Sequence, residues 1–444
     1  MGEPAVSAAP PDVNASPRCY RVLCVATHPV QYAAPLFRRM ANHSQLDLTV
    51  AYCSLQGAQA GYDPEFGTEV KWDIPLLDGY SWTEMPNRSL RPGLGRFFGL
   101  VNPGLWTLIR RGRFDAVIIH TGYVYATFWI GLLAAKLSRV PILFGTDAVS
   151  LQPRVGGSWK RVVKRVAWPL LFRLADQVLT LSTGGRELML SLGIPEDRVS
   201  LTPYVVDNDW WIARSAQVNR AAVRTTWQVT PEQPVILFCA KLQPWKRPLD
   251  LLVAFARVDD PSAVLVFAGE GPLRGQIEAK ASALGVQERI RMLGFVNQSQ
   301  LPGVYSAADV LILSSQYEAF GVVVNEAMLS GRPVIASDRV GATRDLIIPG
   351  CTGFVYPCGD TAALAEILRE VIGDSGHLVE MGRAARERMT SWSPQENIAA
   401  TVDAIARAVA RLGRNTSRRG PRDRSEDEMA SPMVGSRARG DQSS

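Results

Sequence analysis

YEAFGVVVNEAM, residues 317–328, sets two carboxylates, Glu318 and Glu326, around seven residues of which only Asn325 is polar. Apolar runs at 310–313 and 333–336 flank the stretch and put it against a domain core. An ionised carboxylate buried without partners costs several kcal/mol, so both glutamates need a reason to be there. The run VLILSS, ending at Ser315, reads as a strand, QYEAFG as a loop, and the residues from Gly321 onward as a helix. Glu318 then lies in a loop at the carboxyl end of a strand, and Glu326 about a turn and a half into the helix. Ligands of open parallel α/β sheets bind at such strand ends. Two carboxylates converging on a polyhydroxylated group would each accept strong hydrogen bonds that offset their desolvation.

The same strand-and-helix alternation runs through the chain in two series. RVLCVA (21–26), LTVAY (48–52), AVII (116–119), PILFG (141–145), QVLTLS (177–182) and VSLTP (199–203) read as strands of a first domain. PVILFC (234–239), AVLVFA (263–268), IRML (290–293), VLILS (310–314), PVIAS (333–337) and GFVY (353–356) read as strands of a second. Helical stretches such as PLDLLVAFARV, QIEAKASALG and TAALAEILREVIG separate them. Apolar strands alternating with helices predict parallel sheets covered on both faces. The expectation is an α/β protein of two Rossmann-like domains facing each other across a cleft. Its parts are a disordered leader (1–18), a first domain (19–204), a second domain (205–392), a helix crossing back to the first (393–412) and a disordered tail (413–444).

Composition narrows the function. The 444 residues are 47% hydrophobic and 20% charged, with formal net charge +6. That mild excess makes no case for nucleic acid and suits an anionic small substrate or an anionic membrane surface. Six cysteines are scattered without a C-x-x-C pair or a Cys/His cluster, as expected of free thiols in a reducing compartment. The leader lacks a signal-peptide core. The uncharged run 116–135 divides at HTGY into a strand and a buried helix, rather than crossing a membrane. No Asp-x-Asp motif stands at a strand end, so no metal site is expected. His120 ends the strand AVIIH and Asp147 follows another strand, which makes both candidates for the cleft.

The motif E-A-F-G-x4-E-A-M-x-x-G-x-P-V-I-A-S, residues 318–337, resembles the signature of retaining family 4 glycosyltransferases of the GT-B fold. GEGPLR (269–274), YSAADVLILSSQYEAFG (305–321), GATRDLI (341–347) and GCTGFVYPCGD (350–360) are similar to the donor-binding domain of that family, and SWSPQENIAATVDAIARAV (391–409) to its closing helix. The resemblance implies that Glu318 contacts donor sugar hydroxyls and that Glu326 holds the nucleotide ribose. It implies that the turn at Phe320 and Gly321 offers backbone amides to the donor phosphates. In AKLQPWKRP, Lys241 and Lys246 match the family's diphosphate clamp, with Lys241 replacing the commoner Arg and giving up its bidentate fork. His120 matches the histidine at the mouth of the acceptor domain's cleft. One departure is the loop ATHPVQYAAPLF (26–37), which stands where many members carry a glycine-rich loop. His28 and Gln31 are its candidate acceptor-side donors, with Asp147 beside them. With DPEFG (63–67) and KWDIPLLDGY (71–80), the HPVQY loop resembles a bacterial subgroup of the family.

The expected activity is a retaining, metal-independent transfer of a sugar from a nucleotide diphosphate sugar to a hydroxyl of a carbohydrate, lipid-linked or small-molecule acceptor. No cofactor is expected beyond that co-substrate, and the expected location is cytoplasmic or peripheral on the inner membrane face. The alternative is a catalytically silent GT-B protein acting as a binding or membrane assembly partner. SWKRVVKRVAWPLLFRLA (158–175) clusters Lys160, Arg161, Lys164 and Arg165 on one side and Val162, Val163, Val166, Leu170 and Leu174 on the other. Such a helix either packs its apolar side on the sheet or lies on an anionic membrane. The basic, aromatic loop RSLRPGLGRFF (88–98) belongs to the same domain.

Overall fold

Among the described residues, fifteen strands form as short runs, most of them apolar. They are β1 (Tyr20–Ala26), β2 (Leu46–Tyr52), β3 (Gly61–Asp63), β4 (Thr68–Val70), β5 (Ser81–Glu84), β6 (Ala116–Ile119), β7 (Ile142–Thr146), β8 (Gln177–Thr180), β9 (Val199–Leu201), β10 (Val235–Cys239), β11 (Val264–Ala268), β12 (Ile290–Gly294), β13 (Val310–Leu313), β14 (Val334–Ser337) and β15 (Gly353–Tyr356). The structure is a computed structural model and describes residues 18–63, 66–152, 159–258 and 260–417. The expected leader up to residue 17 and the expected tail from 418 lie outside the described residues.

Two sheets carry the fold. The first has seven strands in the order β5-β2-β1-β6-β7-β8-β9, the second six in the order β12-β11-β10-β13-β14-β15. Every pairing within them is parallel. Helices cover both faces, which is why the central strands β6, β8, β10, β11, β13 and β14 are buried along their whole length. Three strands go unforeseen by the sequence reading. β5 is an edge strand with an exposed pattern, and β3 and β4 form a small antiparallel hairpin. None carries an apolar run, because none lies inside a core.

The run 116–135 is strand β6 followed by the helix Ala126–Ser138. Among the described residues, no helix is long and apolar enough to cross a membrane. The last helix, Pro394–Ser417, crosses back to the first domain. Ile398, Val402, Ala404, Ile405 and Ala408 enter a core shared with Val22, Leu143 and Leu179 of the first sheet. It runs past the expected end at 412, so residues 413–417 are helical rather than part of a disordered tail. Gly413 costs roughly 1 kcal/mol against alanine, too little to stop a helix already anchored along its length.

The helix Trp159–Phe172 corrects a second expectation. Only Trp168, Leu171 and Phe172 of that helix are buried, while Val162, Val163, Val166 and Leu170 stand exposed. The apolar stripe that was a candidate for packing on the sheet faces outward instead. Its inner contacts come from the opposite side of the helix, where Trp168 meets Tyr123 and Phe172 edge-on.

The domains are joined by aromatic rings. Tyr32, after β1, lies 5.3 Å from Tyr204, which stacks on Phe320 at 5.3 Å, and Phe320 stacks on Trp392 at 5.9 Å. The carbonyl of Tyr204 accepts from Asn325 Nδ2 at 2.9 Å and from Trp392 Nε1 at 2.8 Å. That gives Asn325, the lone polar residue between the two glutamates, its function. Trp392→Ala should therefore lower stability by about 3–5 kcal/mol, read from the denaturant midpoint, since it removes a ring and a hydrogen bond at the junction.

Candidate active site

A parallel sheet has a crevice at its carboxyl edge where the chain reverses the direction in which it adds strands. In the first sheet β1 has β2 on one side and β6 on the other; in the second, β10 has β11 on one side and β13 on the other. His28 and Gln31 follow β1 and His120 follows β6. Lys241 and Lys246 follow β10, and Glu318 follows β13. Seven of the candidate residues thus fall on loops at the two reversal points or, for Asp147, just after the neighbouring β7.

Lys246 Nζ is in ion-pair contact with Glu318 Oε2, and both side chains are mostly buried. The Glu318 loop is held by its own backbone: Glu318 N donates to Arg339 O at 3.3 Å and Gly341 N donates to Glu318 O at 3.0 Å. Gly321 takes φ +97°, and a Cβ there would come within 3.0 Å of Leu313 and 3.1 Å of Glu318 Cγ. Only glycine turns the chain there without pushing Glu318 aside.

The helix that follows Phe320 starts later than expected, at Val323 instead of near Gly321. The Phe320 side chain is buried in the aromatic stack and serves packing. The helix Val323–Leu329 has only seven residues. Its end is a weak source of positive potential, so the lysines are the main cations of the crevice.

Glu326 lies in the first turn of that helix rather than a turn and a half along it. It is 5% exposed, and Tyr305 Oη donates to Glu326 Oε2 at 2.7 Å. Burial raises its pKa to about 7, against the lowering effect of the Tyr305 and Gln298 hydrogen bonds. One of the two opening carboxylates is thus paired with a lysine and the other with a phenol.

On the first domain, His120 N donates to Val25 O at 2.9 Å, which fixes the backbone beneath the ring. Desolvation by the protein packed around the ring lowers its pKa to about 4, so it is neutral at pH 7. A Cβ on Gly145 of β7 would stand 2.1 Å from His120 Nδ1. Gly145 is therefore the space that the imidazole occupies, a requirement invisible to pattern reading because β7 looks like any buried strand. Asp147 is exposed, and its charge together with that of Glu318 acts on the buried phenols of Tyr32 and Tyr204. Burial is the larger cause of the raised pKa of both tyrosines.

A cavity of about 290 Å³ is lined by His28, Gln31, Tyr62, Phe66, Trp72 and Lys241, among others. His28 Nδ1 is buried there without a partner among the described residues, and burial lowers its pKa. Lys241 Nζ bonds Asp63 Oδ2 at 3.0 Å and lies 4.5 Å from the Phe66 ring centre. Asn297 Nδ2 donates to Lys71 O at 2.6 Å, and Phe66 meets Phe295 edge-on. The segment bearing β3 and β4 thus straps the first domain to the second. Sequence reading did not name Asp63, Tyr62 or Trp72 as candidate site residues, although it singled out the stretches DPEFG and KWDIPLLDGY that contain Asp63 and Trp72.

The Asp207-Asn208-Asp209 triplet has a structural use, since Arg39 Nη2 pairs with Asp207 at 2.5 Å and Asp209 at 2.8 Å. Among the described residues, no group of three or more His, Cys, Asp or Glu is placed to hold a metal ion.

Residues 29–205 match the model of the glycosyl transferase 4-like domain, and residues 219–388 that of the glycosyl transferases group 1. Together the two models take in most of the chain, and they identify it as a glycosyltransferase. The D-inositol 3-phosphate glycosyltransferase of Nocardia farcinica is 28% identical over 297 residues, 64% of this chain and 64% of that protein. The glycogen synthase of Mycobacterium tuberculosis is 24% identical over 426 residues, 94% of this chain and 91% of that protein. Among solved structures, Anabaena HepE in complex with UDP and glucose superposes with a TM-score of 0.64 at 18% identity, covering 90% of this chain and all of that one. The lipopolysaccharide outer core galactosyltransferase WaaB gives 0.63 at 19%, covering 87% of this chain and 99% of that one. These likenesses show the GT-B fold.

Two outcomes follow from the geometry. Gly145→Ala should displace the His120 ring and leave a protein no more active than His120→Ala, with the double variant no worse than either single one in the same assay. For Glu326, the folded chain between about pH 4.5 and 7 keeps a proton that the unfolded chain has lost, so this group makes stability fall as pH rises through that window. Glu326→Gln should remove the fall, gaining up to about 3 kcal/mol on the parent at pH 8 relative to pH 4, as read from melts across that range.

Proposed function

We propose that this glycosyltransferase moves a sugar, with retention of configuration, from a nucleoside diphosphate sugar to an acceptor hydroxyl held by the first domain. The observation that carries the reading is the Lys246–Glu318 pair at the carboxyl edge of the second sheet, with Lys241 on the same loop. A diphosphate leaving group gains charge as the glycosidic bond breaks. Cations fixed beforehand stabilise that charge more than mobile water does. In this reading Lys241 and Lys246 meet the diphosphate, without need of a metal, and the amides of the Phe320–Gly321 turn assist. Glu318, released from Lys246, faces the sugar hydroxyls, and Glu326 reaches the ribose through its small exposed edge. The acceptor oxygen attacks the anomeric carbon on the face from which the diphosphate departs, and its proton passes to a leaving phosphate oxygen. His120, neutral at pH 7, orients the donor or acceptor by hydrogen bonding, with Asp147 nearby. The cavity holding His28 and Gln31 suits the acceptor, because aromatic walls with amide and imidazole groups at the rim fit a sugar ring. Support comes from the family, and from HepE, whose solved complexes hold UDP, glucose or UDP-glucose.

The test is nucleotide release from a panel of nucleotide sugars in the presence of EDTA, with the product anomer read by NMR. Lys246→Ala should cut turnover by roughly 10²–10³. Glu318→Gln should mainly lower kcat, and Glu326→Gln should mainly raise KM for the donor, each lost charged hydrogen bond being worth about 1.5–3 kcal/mol. Because Lys246 and Glu318 touch, the double variant should lose less than the sum of the single losses. An unaltered rate in Lys246→Ala, or an inverted product, overturns the mechanism.

A further inference from the structure

We propose that an apolar and basic face of the first domain docks on an anionic lipid bilayer. Three elements build it. On the helix Trp159–Phe172, Trp159, Val162, Val166 and Leu170 recur at helical spacing and are each more than 60% exposed. The buried residues Trp168, Leu171 and Phe172 lie on the other side of the helix. Lys160 and Arg165 flank the exposed stripe, while Lys164 and Arg161 lie nearer the buried side, where Lys164 Nζ is 4.8 Å from the centre of the Trp168 ring. The helix Ala126–Ser138 adds a stripe of Trp129, Leu133 and Leu137, and the segment 88–98 holds out Leu90 and Phe98.

These elements belong to one surface because the segment 123–125 ties them together. Trp168 Nε1 donates to Tyr123 Oη at 3.0 Å, Trp129 Nε1 donates to Tyr123 O at 3.0 Å, and Gly95 N donates to Tyr125 Oη at 2.9 Å. Tyr123 follows His120 by three residues, so the face adjoins the mouth of the cleft.

Charge selects the occupant. Residues 85–175 contain fourteen Lys and Arg against two acids, Asp115 and Asp147, a net +12 within a chain whose total is +6. Asp115 is paired with Arg18 at 2.6 Å. The core of a protein–protein interface is depleted of charge. Here every outward apolar residue of the Trp159–Phe172 helix has a lysine or arginine within four positions, and the apolar groups project from a helix and a loop instead of lining a groove. Apolar groups that project, flanked by cations, are what a headgroup layer over acyl chains accommodates.

The full chain should co-sediment with phosphatidylglycerol/phosphatidylcholine vesicles but not with pure phosphatidylcholine, and added salt should release it. The variant Lys160→Gln/Arg161→Gln/Lys164→Gln/Arg165→Gln should weaken binding by about a hundredfold or more. The variant Val162→Asn/Val166→Asn/Leu170→Asn should weaken it at every salt concentration; these side chains are exposed, so its melting curve should match the parent. Failure of the parent to bind at low salt overturns the proposal. So does equal binding to neutral vesicles, or binding that survives both variants. If the asparagine variant instead dissociates an oligomer in sedimentation velocity while vesicles are ignored, the face joins copies of this chain and the bilayer reading is wrong.

Discussion

A parallel sheet covered by helices on both faces leaves a single edge at which polar chemistry meets solvent. The rest of this molecule depends on that constraint. The strands β6, β8, β10, β11, β13 and β14 are buried along their whole length, so few charged side chains enter the sheets. The carboxyl ends of β1, β6, β10 and β13 gather two histidines, two lysines and a glutamate that no core would tolerate. The crevices hold the chemistry because every other part of the sheets is filled.

Joining the two edges takes specific contacts. Tyr204 sits at the crossing, with its ring between Tyr32 and Phe320 and its carbonyl accepting from Asn325 and Trp392. On the other side of the cleft the segment bearing β3 and β4 reaches the second domain through the Asp63–Lys241 pair and the Phe66–Phe295 contact. Lys241 and Lys246 are each held by a carboxylate, Lys241 by Asp63 and Lys246 by Glu318. Any anion entering the crevice competes with those carboxylates.

Amphipathic periodicity reports which side of a helix is apolar and nothing about what lies against it. Residues 159–172 form the helix that the spacing predicts, but its apolar stripe points away from the domain. The interior contact falls on Trp168, Leu171 and Phe172, which belong to the side carrying the basic residues. Taking the apolar side for the packing side therefore inverts the true arrangement. Settling which side packs takes the position of Tyr123 on a neighbouring loop, a contact across 45 residues of sequence.

Continuous apolar runs separated by helices are a local consequence of burial on both faces, so the strands of the two sheets other than β5, and the two-domain architecture, were legible in the sequence. The spacing of Glu318 and Glu326 and the lysines of AKLQPWKRP were legible for a similar reason, since charge beside a core run is conspicuous. What the sequence left open was decided by contacts between distant segments. The two glutamates look alike in the chain, yet one meets Lys246 and the other Tyr305, in a site whose burial raises the second glutamate's pKa to about 7. Gly145 matters only because His120 arrives beside it from another strand. The hairpin of β3 and β4 joins the site only because the second domain closes against it. Local sequence dictates period and burial, whereas partners are assigned by the closing of the chain on itself, and here those partners determine the charge state and the space of each group in the cleft.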